Sequence, residues 1–197
     1  MAAKTELTTI ELIRTAALQL LEKEGAEGVS MRKVAKEVGI TPMAIYHHFP
    51  DRDALLTAVT DSEFERLAEY LRTAIGGKGD VLVNAVSGYI DYAFSRPRVF
   101  DYVFAQKRKG ARRFPADIRA RKSPTLTLLA DEVGARMKAG ELRRDDVWEV
   151  VLAIWALVHG LVVLHRGKRI DLSEKEFRAL GEHSLQRLIH GLKKQKI

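Results

Sequence analysis

The stretch SMRKVAKEVGITPMAIYHHF, residues 30–49, constrains this chain more than any other. Its spacing predicts two helices, one over about 31–38 and one from Pro42 onward, broken at Gly39. Ser30 and Thr41 stand where side-chain oxygens cap helices, and Pro42 takes a first helical position, where a missing N–H costs nothing. Helices this short are unstable alone, so they must lean on each other and on a third wall. Two helices crossing at about 100° need a small residue at the crossing and a residue tolerant of positive φ at the turn. Ala35 and Gly39 supply these, and Val34, Val38, Ile40 and Ile45 are spaced to face inward. The pattern is that of a helix-turn-helix, although a plain αα-corner fills most of the same positions.

Helical spacing continues through the rest of the chain, with no strand alternation and no internal repeat. A first helix over residues 8–24 carries Ile10, Ile13, Ala17, Leu20 and Leu21 on one stripe and stops at Gly25. A fourth, capped by Asp51, runs to Gly76 and Gly77. Further helices are expected over about 80–95, 98–106, 124–138, 146–166 and 173–192, with 107–117 read as a mobile loop. The expected fold is all-α with about nine helices. A three-helix helix-turn-helix domain over residues 1–52 precedes a larger helical domain over residues 53–197, joined through the fourth helix.

The chain has no cysteine, which excludes disulfides, thiolate metal sites and cysteine nucleophiles and fits a reducing cytoplasm. Its start lacks the apolar run of a secretory leader, so a cytoplasmic location is expected. VVLAIWALVHGLVVL, residues 150–164, falls short of the roughly 20 residues that cross a bilayer. It reads as a buried helix, and no membrane partner is expected. The net charge of +7 invites a polyanionic partner, but its location matters more than its size. Residues 1–52 hold seven basic and seven acidic residues, whereas residues 106–122 hold eight basic residues and one acid. The excess therefore says little about the opening motif. The basic loop over 107–113 is open to three readings: a solvated segment, an attractor of anionic ligands, or an aid to non-specific DNA binding.

No nucleophile–base pair, paired acids or phosphate loop appears, so no catalytic residue and no cofactor is expected. His47 and His48 point about 100° apart on a helix, and His159 and His165 fall on different faces, so no metal is expected either. The exposed donors around residues 30–52 suit a different partner. Ser30, Lys33, Thr41, Tyr46, His47 and Arg52 can hold phosphate oxygens, and Arg32 can take a guanine edge bidentately. Pro42, Met43 and Ala44 complete the expected DNA-binding set.

SMRKVAKEVGITPMAIYHHFPDRDALL resembles the DNA-binding domain of TetR-type transcriptional repressors. The matching features are the capping Ser30, Val34-Ala35, Gly39-Ile40, Thr41, Tyr46 and His48-Phe49, followed by a basic residue before Ala54-Leu55-Leu56. The family usually has Lys at that last place; Arg52 stands there, and the resemblance implies a phosphate contact for it. WALVHGLVVLHRG, residues 155–167, resembles the Trp-x-x-x-His-Gly (WHG) signature of one ligand-domain class in that family. On the residues alone, Trp155, His159 and Gly160 equally suit a simple helix crossing. The resemblance implies a homodimeric repressor on near-palindromic double-stranded DNA, released by a small-molecule effector. The alternative is a regulator or structural DNA-binding protein without an effector.

Two further expectations concern the C-terminal body. Tyr89, Tyr92, Phe100, Trp155 and His159 are candidates to line a pocket for a mainly apolar or aromatic ligand. The helix over 146–166 is apolar on two sides, and one monomer's core needs only one. The stripe of Val150, Ile154, Leu157, Val158, Leu161 and Leu164 is assigned to a partner chain. Leu157, Leu161, Leu164, Leu185 and Leu188 are the candidate dimer contacts, with Gly181 and Ser184 permitting close approach.

Overall fold

A computed structural model describes residues 8–105 and 111–193. Among them are ten α-helices and one short 3-10 turn. Most of the expected basic loop, residues 107–110, lies outside the described residues.

The chain forms two compact units, Met1–Glu63 with Arg96–Ala111, and Phe64–Ser95 with Arg112–Ile197. In the first, α1 (Thr9–Glu24) starts at a capping box in which Thr8 and Glu11 satisfy each other's backbone N–H groups. It buries Ile13, Ala16, Ala17, Leu20 and Leu21. A 3-10 turn (Ala26–Gly28) leads to α2 (Met31–Val38), whose first turn is capped by Ser30. α2 turns its Met31, Val34 and Ala35 face inward. Gly39 closes it with φ +78°, and its N–H reaches the Ala35 carbonyl at 2.9 Å. α3 (Pro42–Tyr46) begins at the Thr41 cap and buries Ile45 completely. α4 (Arg52–Ile75) is capped by Asp51, whose carboxylate accepts from the Ala54 N–H at 2.7 Å. α6 (Pro97–Ala105) returns to the first unit and packs on α1.

The second unit contains the last turns of α4, then α5 (Val81–Ser95), α7 (Ala116–Arg119), α8 (Pro124–Lys138), α9 (Val147–Arg166) and α10 (Glu174–Leu192). α5 is central and buries Leu82, Ala85, Val86, Tyr89, Ile90, Tyr92 and Ala93. A Cβ on Gly88 would meet Ala74 Cβ at 3.1 Å, and one on Gly181 would meet Ile90 Cδ1 at 2.8 Å. These two glycines set how closely α4 and α10 approach α5.

The compact units divide within α4, because the core of the first unit draws on Leu55, Leu56 and Val59 and takes back α6. Three features differ from the sequence reading. The helix count among the described residues is ten, because a single helical turn, α7, starts at the end of the stretch read as a loop and runs to Arg119. Gly181 provides close approach to α5 of its own chain, not to a partner. On α9, Val150, Ile154 and Val158 of the stripe assigned to a partner are buried in their own unit, together with Val151 and Val162. At 20 residues α9 also exceeds the apolar run read from the sequence, and by length and composition alone it is long enough to cross a membrane. One of its faces, however, is committed to the protein core.

A Cβ added at Gly39 would touch nothing within 4 Å, so the glycine is required for its left-handed backbone alone. Gly39→Ala should therefore lower unfolding stability by about 1 kcal/mol. Gly39→Asn should cost less, because Asn tolerates this region. Denaturant midpoints at constant slope check this, and an Asn variant as unstable as the Ala variant would refute it.

Candidate functional site

α2 and α3 present one outward face. On it Arg32, Lys33, Thr41, Pro42, Met43, Tyr46 and His47 are exposed, Ser30 and Ala44 are half-buried, and Ile45 points into the core. Two of the hydroxyls also serve the backbone. Ser30 Oγ accepts from the Lys33 N–H at 3.3 Å and Thr41 Oγ1 from the Ala44 N–H at 3.2 Å, so each is fixed in place with its own O–H still a donor. Lys33 Nζ lies 2.6 Å from Glu24 Oε2 at the end of α1 and holds that carboxyl below its usual range. Arg32 is exposed at the start of α2.

Arg52, expected at a phosphate, makes two bonds within its own chain. Its Nε donates to the Val29 carbonyl at 2.8 Å, and its Nη2 donates to the Ala26 carbonyl. The guanidinium is half-buried and fastens the start of α4 to the turn between α1 and α2. A lysine has no fork with which to take two carbonyls from one planar head, which is why this basic residue can act internally here.

A second site lies in the other unit, where α5 meets α9. Trp155 Nε1–H donates to Tyr89 Oη at 3.3 Å, and Tyr89 Oη lies 2.9 Å from His159 Nδ1. The indole can only donate, so the tyrosine hydroxyl accepts from it, and which way the Tyr89–His159 bond runs depends on the imidazole tautomer. Burial keeps both groups neutral, pushing the Tyr89 hydroxyl well above its ordinary range and lowering the His159 pKa. The Trp155 and His159 rings lie 5.6 Å apart, one turn apart on the same helix.

The other two candidates for the pocket are core side chains. Tyr92 is 1% exposed and meets Tyr70 edge-on at 6.3 Å. Phe100, in the first unit, is 2% exposed and packs on Phe104 at 4.9 Å. A separate cleft of about 360 Å³ lies between α8 and the start of α9. Trp148, Arg121, Asp131 and Lys138 are on its walls, and none of the expected ligand residues lines it. Of the candidate dimer contacts, Leu164 is exposed, Leu157, Leu161 and Leu188 are half-exposed, and Leu185 is 1% exposed. Leu185 is therefore a core residue of its own chain.

The sequence reading missed one group of charged residues. Glu63, only 2% exposed, pairs with Arg96 at 2.9 Å, and Arg96 also lies 3.0 Å from Glu22. A signal was present, since Glu63 stands four residues from both Val59 and Leu67, on the apolar stripe of α4.

A capped two-helix corner with an exposed second helix, built on a longer first helix and followed by a helical body, defines a helix-turn-helix regulator. The comparisons agree. The family model described as Bacterial regulatory proteins, tetR family matches residues 13–59, and that described as Tetracyclin repressor-like, C-terminal domain matches residues 82–190. The chain belongs to the TetR family and is a DNA-binding transcriptional regulator. Its fold is similar to that of a protein of unknown function from Rhodococcus sp. RHA1, at 23% identity and a TM-score of 0.79 over 98% of this chain and 100% of that one. FadR from Bacillus subtilis, in complex with stearoyl-CoA, is similar at 17% identity and a TM-score of 0.71, over 92% and 98% of the two chains. The flavonoid-responsive regulator FrrA is similar at 24% identity and a TM-score of 0.64, over 95% and 98%. At these identities the likeness speaks for the fold.

Two outcomes follow from the geometry. Arg52→Ala should lower stability by about 1–3 kcal/mol through the lost carbonyl bonds. It should leave the slope of log affinity against log salt unchanged, whereas loss of a phosphate contact would reduce that slope by about one. Salt titrations of DNA binding on the folded variant distinguish the two. For His159, the folded protein binds the proton less readily than the unfolded chain, whose value is about 6.5. Its contribution to stability is thus present above that pH and lost as pH falls through the lowered folded value. Melting temperatures should show this acid-side loss in the wild type, and the loss should be smaller in His159→Gln.

Proposed function

We propose that this TetR-family regulator is a cytoplasmic homodimeric repressor, released from a near-palindromic operator by a mainly apolar or aromatic small molecule. The observation that carries the sensing role is the Trp155–Tyr89–His159 chain of hydrogen bonds. It holds the imidazole in place beside a flat indole, an arrangement suited to orienting a polar atom on an otherwise apolar ligand. Trp155, His159 and Gly160 would then act as the WHG signature they resemble. Of two proteins of similar fold, FadR is in complex with stearoyl-CoA, which carries a long apolar chain, and FrrA is flavonoid-responsive. To work as a switch, the effector must favour the state of lower DNA affinity by about 1–3 kcal/mol.

The outward face of α9 supports assembly. Ala153, Ala156, Val163 and Leu164 are exposed there, and a Cβ at Gly160 would meet nothing within 4 Å. Small residues along an apolar helix allow a second copy to approach closely, and an isologous pair would place two heads on a twofold-symmetric site. Phosphate contacts from Ser30, Thr41, Tyr46 and His47 would set the register, and Arg32 would read a base edge.

The test uses a labelled duplex selected by the full-length protein, titrated with a panel of flavonoids and long-chain acyl-CoAs. A panel member should release the wild-type protein. Tyr89→Phe and His159→Ala should keep ligand-free DNA affinity but require several-fold more compound. Equal loss of DNA binding and thermal stability in both variants would make the three residues structural. Release by no compound would favour a regulator without an effector of this kind. Sedimentation should show a dimer at micromolar concentration, and a wild-type monomer would refute the assembly.

A further inference from the structure

Met43 is 67% exposed, more than any other large apolar side chain among the described residues. Its helix does not explain this exposure. α3 turns Ile45 into the core and leaves Pro42, Met43 and Tyr46 outward. The thioether can neither hold a phosphate nor form a strong hydrogen bond. The outward side of α3 itself also lacks Arg, Lys, Asn and Gln, the forked or extended side chains that read guanine and adenine through hydrogen bonds. The helix of the pair that enters the major groove thus offers mainly apolar surface to the base edges. In that groove a base pair has one apolar feature, the C5-methyl group of thymine. Methionine is unbranched and polarizable, and it adapts to a small apolar group.

We propose that Met43 is a specificity-determining residue that selects a thymine in each operator half-site by packing on its methyl group. The assignment rests on the DNA-binding role of the head. It complements Arg32, whose guanidinium is the hydrogen-bonding reader on the neighbouring helix. Pro42 contributes beside Met43, because its ring is fixed and equally without donors.

The experiment compares thymine with uracil, which lacks the methyl and keeps every hydrogen bond. Duplexes bound by the full-length protein are selected from a randomised library, and each thymine is replaced in turn. At one position per half-site, uracil should weaken wild-type binding about threefold to fivefold, the worth of one buried methyl group. M43A should bind the thymine and uracil duplexes equally, with an unchanged melting temperature because the side chain is exposed. Two results would overturn the proposal: uracil tolerated at every position by the wild type, or a thymine preference left undiminished in M43A. The second would transfer the methyl contact to another exposed side chain of α3, Pro42 or Tyr46. A library that enriches no sequence at all refutes the operator reading itself, and with it this inference.

Discussion

One guanidinium organises the first unit. Arg96 lies between Glu63 on α4 and Glu22 on α1, at 2.9 and 3.0 Å. Glu63 is almost fully buried, so its charge is tolerable only with a close partner. Removing one member of such a pair commonly costs about 3–5 kcal/mol, because the other charge stays buried. The two contacts are unequal. Glu63 accepts a hydrogen bond from Arg96, whereas Glu22 Oε1 has the charge beside it without hydrogen-bond alignment. Arg98 adds bonds to the Glu22 and Lys23 carbonyls at the end of α1. Thus α1, α4 and α6 are held as a set. α1 is in turn the wall on which α2 packs, and α2 carries α3, so the placement of the helix-turn-helix depends on this charge cluster.

The same logic of scarce partners shapes α9. Every side chain it buries, from Val150 and Val151 through Ile154 and Val158 to Val162, is β-branched. Such side chains are stiff and lose little freedom on packing. Its outward side is lined by Ala153, Ala156 and Gly160, which let another surface approach, and by Val163 and Leu164, which reward burial. Trp155 and His159 lie between these two faces, tied to Tyr89 on α5. One helix thereby serves the core, the hydrogen-bonded site and an apolar surface on different sides of its circumference.

Some of this was legible in the chain. The caps Ser30, Thr41 and Asp51 and the stop at Gly39 are where the sequence places them, because each depends on atoms within about four residues. Tyr89, Trp155 and His159 could be suspected as a group, but not the direction of their hydrogen bonds. For Arg52 the motif suggested phosphate, and the carbonyls of Ala26 and Val29, which Arg52 holds within the chain, were not legible. Leu185 and Gly181 were placed at a partner surface and belong to the core, because α10 packs on α5 through that side.

By itself the sequence determined most helix caps and stops, that the fold is all-α, and which short segment forms the DNA-facing corner. Those are local decisions, settled by capping oxygens, glycine φ angles and apolar spacing. The tertiary structure alone decided which stripe of α9 is inside, which carboxylates share Arg96 and what Arg52 holds. A helix with two apolar stripes fits a core by either one. A long cationic side chain reaches several acceptors, and only the folded positions of distant helices choose among them.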